Sequence, residues 1–222
     1  MPSVVSPIRV CFATIVVALA VPFTASAAEP PRAPFCPVEL AAIARVEVVP
    51  RPEADDDACV VPTPVRMSAI RLPEGEVALT GEPVLHCPFA LALARWTRDI
   101  AAPLARGDLG ARLTALGTGN GFQCRRRNRA KTGRLSEHAF GNAVDIVSFR
   151  FDAAEPLAVQ AAEGLSAPEA SYLQAVRAAA CGYFTTILGP GSNAAHATHL
   201  HFDLGRAWKD GELRKNPYRI CE

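Results

Sequence analysis

Four of the five histidines in the sequence stand in two short segments, and with one aspartate they make the donor set of a zinc site. The first segment runs Ser136-Glu137-His138-Ala139-Phe140-Gly141-Asn142-Ala143-Val144-Asp145, and the second is His196-Ala197-Thr198-His199-Leu200-His201. Catalytic zinc takes three protein ligands from His, Asp or Glu and keeps a further position for water or substrate. His138, Asp145 and His201 are read as those ligands, which leaves His199 and His196 for proton transfer. Zinc held in this way polarises a carbonyl and activates water, the chemistry of amide hydrolysis.

A strand must carry the second segment. Side chains two apart on a strand share a face, so His199, His201 and Asp203 point one way while Leu200, Phe202 and Leu204 point the other. The apolar set packs on a core and the polar set faces a cleft, because imidazoles and a carboxylate are costly to bury without partners. In the first segment Gly141 allows a sharp turn, so that His138 and Asp145 converge. Ser136 is placed to hydrogen-bond that turn or a ligand histidine. Upstream, Arg125-Arg126-Arg127-Asn128-Arg129-Ala130-Lys131-Thr132-Gly133-Arg134 holds six basic residues and no acid. No aromatics interleave for base stacking, so a nucleic-acid partner is not expected. The loop reads either as solvated or as a contact for the carboxylates of an anionic wall polymer.

The rest of the chain supplies the scaffold. The sequence predicts a helix from Cys36 to Val49, strands at Val65–Leu72 and Glu76–Leu79, and a helix from Pro88 towards Pro103. A strand follows from Leu113 to Cys124, another at Val144–Phe149, a helix at Pro168–Cys181, and strands at Phe184–Leu188 and Thr198–Leu204. Helices and strands without βαβ alternation imply an α+β fold with a small antiparallel sheet and flanking helices. His86 stands outside both motifs in the sequence, and Asp55-Asp56-Asp57 reads as an exposed loop.

Composition sets the compartment. Half of the residues are hydrophobic and a fifth are charged, with a formal net charge of +1, which gives no global electrostatic basis for binding nucleic acid or a membrane surface. Arg9, the apolar run Val10–Phe23 and Ala25-Ser26-Ala27 have the form of a secretory signal peptide over residues 1–28. The run is too short to span a bilayer, so no membrane insertion is expected after cleavage. Cys11 leaves with that segment. Cys36, Cys59, Cys87, Cys124, Cys181 and Cys221 remain, an even number that in an exported chain implies up to three disulfides. No C-x-x-C pair is present to suggest a thiolate zinc cluster.

The pattern Ser-x-His-x-x-Gly-x-Ala-x-Asp-Ile followed by His-x-His resembles the superfamily of lysostaphin-type enzymes, D-Ala-D-Ala metallopeptidases and Hedgehog domains. Ser136, His138, Gly141, Ala143, Asp145 and Ile146 match it position by position. Cys124-Arg125, Leu188-Gly189-Pro190-Gly191 and His199-x-His201-x-Asp203 are similar to the bacterial extensin-like C-terminal family, over roughly residues 36–222. The resemblance implies a Hedgehog/D-Ala-D-Ala peptidase-like domain at 111–222, with a helical and hairpin extension at 29–110 packed on it. It also implies a periplasmic or secreted zinc peptidase acting on the peptide of peptidoglycan. Many D-Ala-D-Ala peptidases carry a catalytic Glu where this chain has Thr198. The spacing of His196, His199 and His201 instead resembles the penicillin-insensitive murein endopeptidases. Gln123 stands where the carboxypeptidases have a substrate-binding arginine, and Arg125 is its expected substitute. A non-catalytic, zinc-stabilised module that binds cell-wall glycopeptide is the alternative, since Hedgehog-type domains have this fold without hydrolysis.

Overall fold

The computed structural model describes residues 36–119, 121–205, 208–209, 212–213 and 219–221; the expected signal segment at 1–28 lies outside them. Helix α1 (Cys36–Ile43) is shorter than the sequence suggests. Its buried Pro37 and Leu40 face inward, and the chain then straightens into strand β1 (Ala44–Val48). Arg45-Val46-Glu47-Val48 alternates polar with β-branched residues, and this period suits a pleat better than a helix turn. Strand β1 pairs antiparallel with β2 (Pro64–Leu72), which turns at Pro73-Glu74 into β3 (Gly75–Leu79). The short β4 (Val84–His86) pairs with the other end of β2.

Helix α2 (Cys87–Trp96) does not stop at Pro103. It runs through a wide turn, Thr97–Ala101, into α3 (Ala102–Leu109). Proline has no N–H to give and crowds the preceding turn. Here the Ala102 N–H reaches back to Thr97 O, and this widened turn lets Pro103 open the next helical segment. Gly110, left-handed at φ 63°, ends α3.

The site strands follow: β5 (Leu113–Thr118), β6 (Ala143–Phe151), β7 (Leu157–Ala158), then helix α4 (Ala167–Ala180), β8 (Thr186–Leu188) and β9 (Leu200–Asp203). The chain continues through β10 (Trp208–Lys209), β11 (Glu212–Leu213) and β12 (Ile220–Cys221). Ten strands form one sheet in the order β1-β2-β3-β5-β6-β9-β8-β12, with β4 and β7 as side pairings; β10 and β11 form a separate hairpin. The fold is therefore mixed α/β, as composition and patterning imply, but the sheet is neither small nor purely antiparallel. Strands β3 and β5 run parallel, as do β8 and β12.

Helices α2 and α4 bury one face of this sheet. Trp96 packs edge-on against Phe202 with ring centroids 5.1 Å apart, and Phe202 stacks on Phe184 at 4.8 Å. The Trp96 indole N–H donates to Val176 O in α4 at 3.2 Å. Tyr172 of α4 meets Phe149 of β6 at 5.3 Å. Each large apolar side chain buried here contributes ~1.5–3 kcal/mol relative to exposure. Three disulfides, Cys36–Cys87, Cys59–Cys124 and Cys181–Cys221, use all six cysteines of residues 36–222, with sequence separations of 51, 65 and 40. In the chain-entropy account, loops of that length bring ~4 kcal/mol each.

Candidate metal centre

The opposite face of β6 and β9 carries the chemistry. Register decides this. Asp145 lies directly across from His201 in the antiparallel β6–β9 pair, and opposed residues point to the same face. Val144, Ile146, Leu200 and Phe202 fall on the other face and are buried in the core. Along β6 a strict period of two would put Phe149 on the face of Asp145. The pairing skips Val147, because Thr118 opposes Ile146 while Gly117 opposes Ser148. That bulge flips the alternation, so Phe149 joins the core and Asp145 stays in the cleft.

His138 arrives from a single turn of 3₁₀ helix, Glu137–Phe140, closed by Gly141 at φ 61°. A side chain at 141 would be strained by that φ, and its Cβ would lie 2.9 Å from the His86 backbone nitrogen and from Val61. The His86 N–H donates to Gly141 O at 2.7 Å and clamps the turn from below. Ser136 is buried at the head of this turn. Its carbonyl accepts from Ala139 N, but its hydroxyl makes no capping bond.

His138 Nε2, Asp145 Oδ1 and His201 Nδ1 form a closed triangle with edges of 3.2, 2.9 and 3.3 Å. Donors ~2.0–2.2 Å from a tetrahedral ion lie ~3.3 Å apart, so these three atoms already span one face of such a coordination shell. The group can hold a metal ion. The far side of each imidazole supports that use. Gly121 O accepts from His138 Nδ1 at 2.7 Å, and Asp203 Oδ2 accepts from His201 Nε2 at 3.1 Å. Each bond fixes a tautomer and turns the other ring nitrogen towards the centre. Without an ion, burial opposes charge on His201, but hydrogen bonds to Asp145 and Asp203 outweigh it and raise the group to about 9. Burial likewise opposes charge on Asp145, yet hydrogen bonds from His138 and His201 hold its carboxyl far below the usual range.

The remaining sequence candidates gather round this triangle. His199 sits in the bend just before β9 rather than on it, yet its Nε2 comes within 3.5 Å of Asp145 Oδ1. His196 is at the rim, with its ring 5.1 Å from that of His199 and 5.6 Å from that of His201. Burial lowers both rings, His196 to about 4, so they are neutral and able to accept a proton at pH 7. The expected strand ends at Thr118, so Arg125 lies on extended loop. Its guanidinium donates to Gln123 Oε1 at 3.0 Å and stands 4.0 Å from Asp145 Oδ2. Burial, opposed by Asp145 and assisted by Arg129, pushes its pKa down. Asp145, His201, Asp203, His199, His196 and Arg125 line one cavity of about 1360 Å³, while His138 is buried.

Three participants were not foreseen from the sequence. Gly121 supplies the carbonyl that holds His138, a role no side-chain pattern could announce. Asn193 Oδ1 accepts from His196 Nδ1 at 2.7 Å and from Ala195 N at 3.1 Å; an Asn opening a short turn was the available signal. Glu137, next to His138, is a carboxyl in the same cavity whose side chain is 16% exposed. It accepts from Asn142 Nδ2 at 3.1 Å and lies 3.8 Å from Arg127. Burial and the nearby Asp203 raise its pKa, partly offset by Asn142, Arg127 and His201. A Cβ at position 205 would collide with this carboxyl, so Gly205 makes its room.

A family model described as extensin-like protein C-terminus matches residues 35–215. No curated protein and no solved structure matches the chain.

Proposed function

The chain belongs to the extensin-like C-terminal family, and from that premise we propose that it is an exported, zinc-dependent peptidase that hydrolyses peptide amide bonds of peptidoglycan. The observation that carries this reading is the His138–Asp145–His201 triangle, open to a large cavity and flanked by two neutral histidines. His138, Asp145 and His201 would hold zinc, which when bound acts as a Lewis acid and lowers the pKa of water to ~7. The six-residue match of Ser136, His138, Gly141, Ala143, Asp145 and Ile146 to the D-Ala-D-Ala peptidase pattern supports both the metal and that fold. Paired cysteines and the signal-like leader support export.

The chain's own residues divide the remaining work. His199, neutral and beside Asp145, accepts the proton of the attacking water and returns it to the leaving amine. Arg125, held by Gln123 at the edge of the centre, stabilises the negative charge that develops on the carbonyl oxygen or holds a substrate carboxylate. His196, fixed by Asn193, stands one ring further out and assists His199. Asp203 and Gly121 keep the two imidazoles in register.

The second reading is a zinc-stabilised module that binds cell-wall glycopeptide without cutting it, and Thr198 in place of a catalytic Glu favours it. Digestion of purified sacculi separates the two. The peptidase releases new amino groups with zinc and none with chelator. Unchanged peptides alongside chelator-sensitive retention on the sacculus would support the binding module instead.

A further inference from the structure

We propose that the arginine arm at 125–134 is a binding subsite for peptide carboxylates, so that the site takes a multiply acidic peptide rather than a neutral one; this rests on the reading of the site as peptide-binding. The charge is concentrated where a substrate must pass. Arg125, Arg126, Arg127, Arg129 and Arg134 all line the cavity that opens over the His–Asp triangle, in a chain whose formal net charge is only +1. Among the described residues the acids that line the same cavity are Glu137, Asp145 and Asp203, and each already accepts a hydrogen bond from Asn142, a histidine or both a histidine and Gly205.

The arm is built rather than loose. Its base is pinned by the Cys59–Cys124 disulfide, by Ser136 N donating to Arg125 O at 2.9 Å, and by Arg127 N donating to Arg134 O at 3.0 Å. Arg126 ties it to Gly133 O and to Asp56 at 3.6 Å. At the tip, Asn128 and Arg129 are both left-handed, at φ 53° and 56°, and Ala130 N closes the turn on Arg127 O at 3.1 Å. Asn tolerates that conformation and most side chains avoid it. Holding Arg129 there fixes the direction in which its side chain leaves the turn. Arg129 and Arg134 are exposed and form no side-chain ion pair among the described residues.

Chemistry selects the ligand. Guanidinium forks bind carboxylate and phosphate in pairs of parallel hydrogen bonds. A phosphate group carries about −1.5 to −2 charges at pH 7 and is repelled more strongly by the carboxylates that line the same cavity than a carboxylate, which carries one. Two arginines of the arm already face carboxylates of the cavity, Arg125 towards Asp145 and Arg127 towards Glu137. The arm therefore continues a pattern of arginine against carboxylate outward along the cavity wall.

Fluorescence anisotropy tests this on the oxidised chain, both zinc-loaded and stripped of metal. The probes are a dye-labelled pentapeptide with two glutamates and its twin with two glutamines. The acidic probe should bind at least ~10-fold more tightly at low salt, with the preference retained in the stripped chain and collapsing towards ~1 in 0.5 M salt. The double variant Arg129→Ala/Arg134→Ala, altered only at exposed positions, should cut the preference to ~3-fold or less while its thermal unfolding is unchanged. Equal binding of the two probes overturns the proposal even if sacculi are hydrolysed. Preference for the acidic probe without any hydrolysis would leave it standing and remove only the peptidase reading. Tripolyphosphate binding the stripped chain ten times more tightly than the acidic peptide would reassign the arm to phosphate and overturn it.

Discussion

Removing the carboxylate behind His201 should weaken metal binding without removing any ligand. Asp203 is buried, accepts from His201 Nε2 at 3.1 Å through Oδ2, and accepts from Gly205 N at 3.0 Å through Oδ1. Asp203→Ala deletes both acceptors, leaves His201 free to rotate and lowers the basicity of its Nδ1. Loss of such outer partners costs 10–100-fold in metal affinity, or about 1.4–2.8 kcal/mol. Two N–H groups also lose their partner, at ~1–3 kcal/mol of stability for the buried His201 N–H and less for the half-buried Gly205 N–H. Asp203→Asn keeps one carbonyl oxygen but no charge, so it should fall between native and alanine. Competition against a chromophoric zinc chelator at fixed pH and salt measures the affinities, and thermal unfolding of the metal-free proteins reports stability separately. Asp203→Ala protein that is folded and binds zinc within twofold of native would refute the argument that the second imidazole nitrogen sets the site.

The other predictions concern pH, proton transfer and redox state. In the metal-free protein His201 is raised to about 9, so below that pH a metal must displace a proton. Affinity should fall by up to ~10-fold per pH unit on acidification below 9, with proton release visible as buffer-dependent binding heat; pH-independent affinity between 6 and 9 would contradict this. Against peptide, His199→Ala should keep its zinc and lose ~10²–10⁴-fold in rate, with His196→Ala losing less; the reverse order would move the base to His196. Because burial lowers His199, its acid limb in kcat/KM should lie below pH 6.5, and a limb above 7 would point to another group. Titration of the denatured, unreduced mature chain should find no free thiol, and two or more would contradict the three pairs.

The metal triangle was legible because histidine is scarce in this chain and a strand has a period of two. His201 and Asp203 on one face, with Leu200 and Phe202 on the other, need nothing beyond that period. Which strand His201 would face was not legible. The Asp145–His201 pairing depends on register, and the bulge at Val147 that keeps Asp145 in the cleft leaves no mark in composition. Arg45–Val48 was misread as helix because Leu40, Ile43 and Ala44 satisfy helical spacing, and the competing alternation is only four residues long. The parallel pairings β3–β5 and β8–β12 join segments that share no local signal. The place of Glu137 in the cavity leaves no local mark either. The room for its carboxyl comes from Gly205 and a nearby charge from Asp203, both far along the chain, and only folding brings them together.

X-ray absorption at the zinc edge of the oxidised, zinc-loaded chain tests the central claim most directly. The account predicts one zinc per chain with two imidazole nitrogens and oxygen donors at ~2.0–2.2 Å and no sulfur. His138→Ala and His201→Ala should each lose one imidazole from the shell or bind no zinc, and Asp145→Ala should lose an oxygen donor or bind none. A sulfur shell at ~2.3 Å, or an unchanged two-imidazole spectrum in His201→Ala, would contradict it.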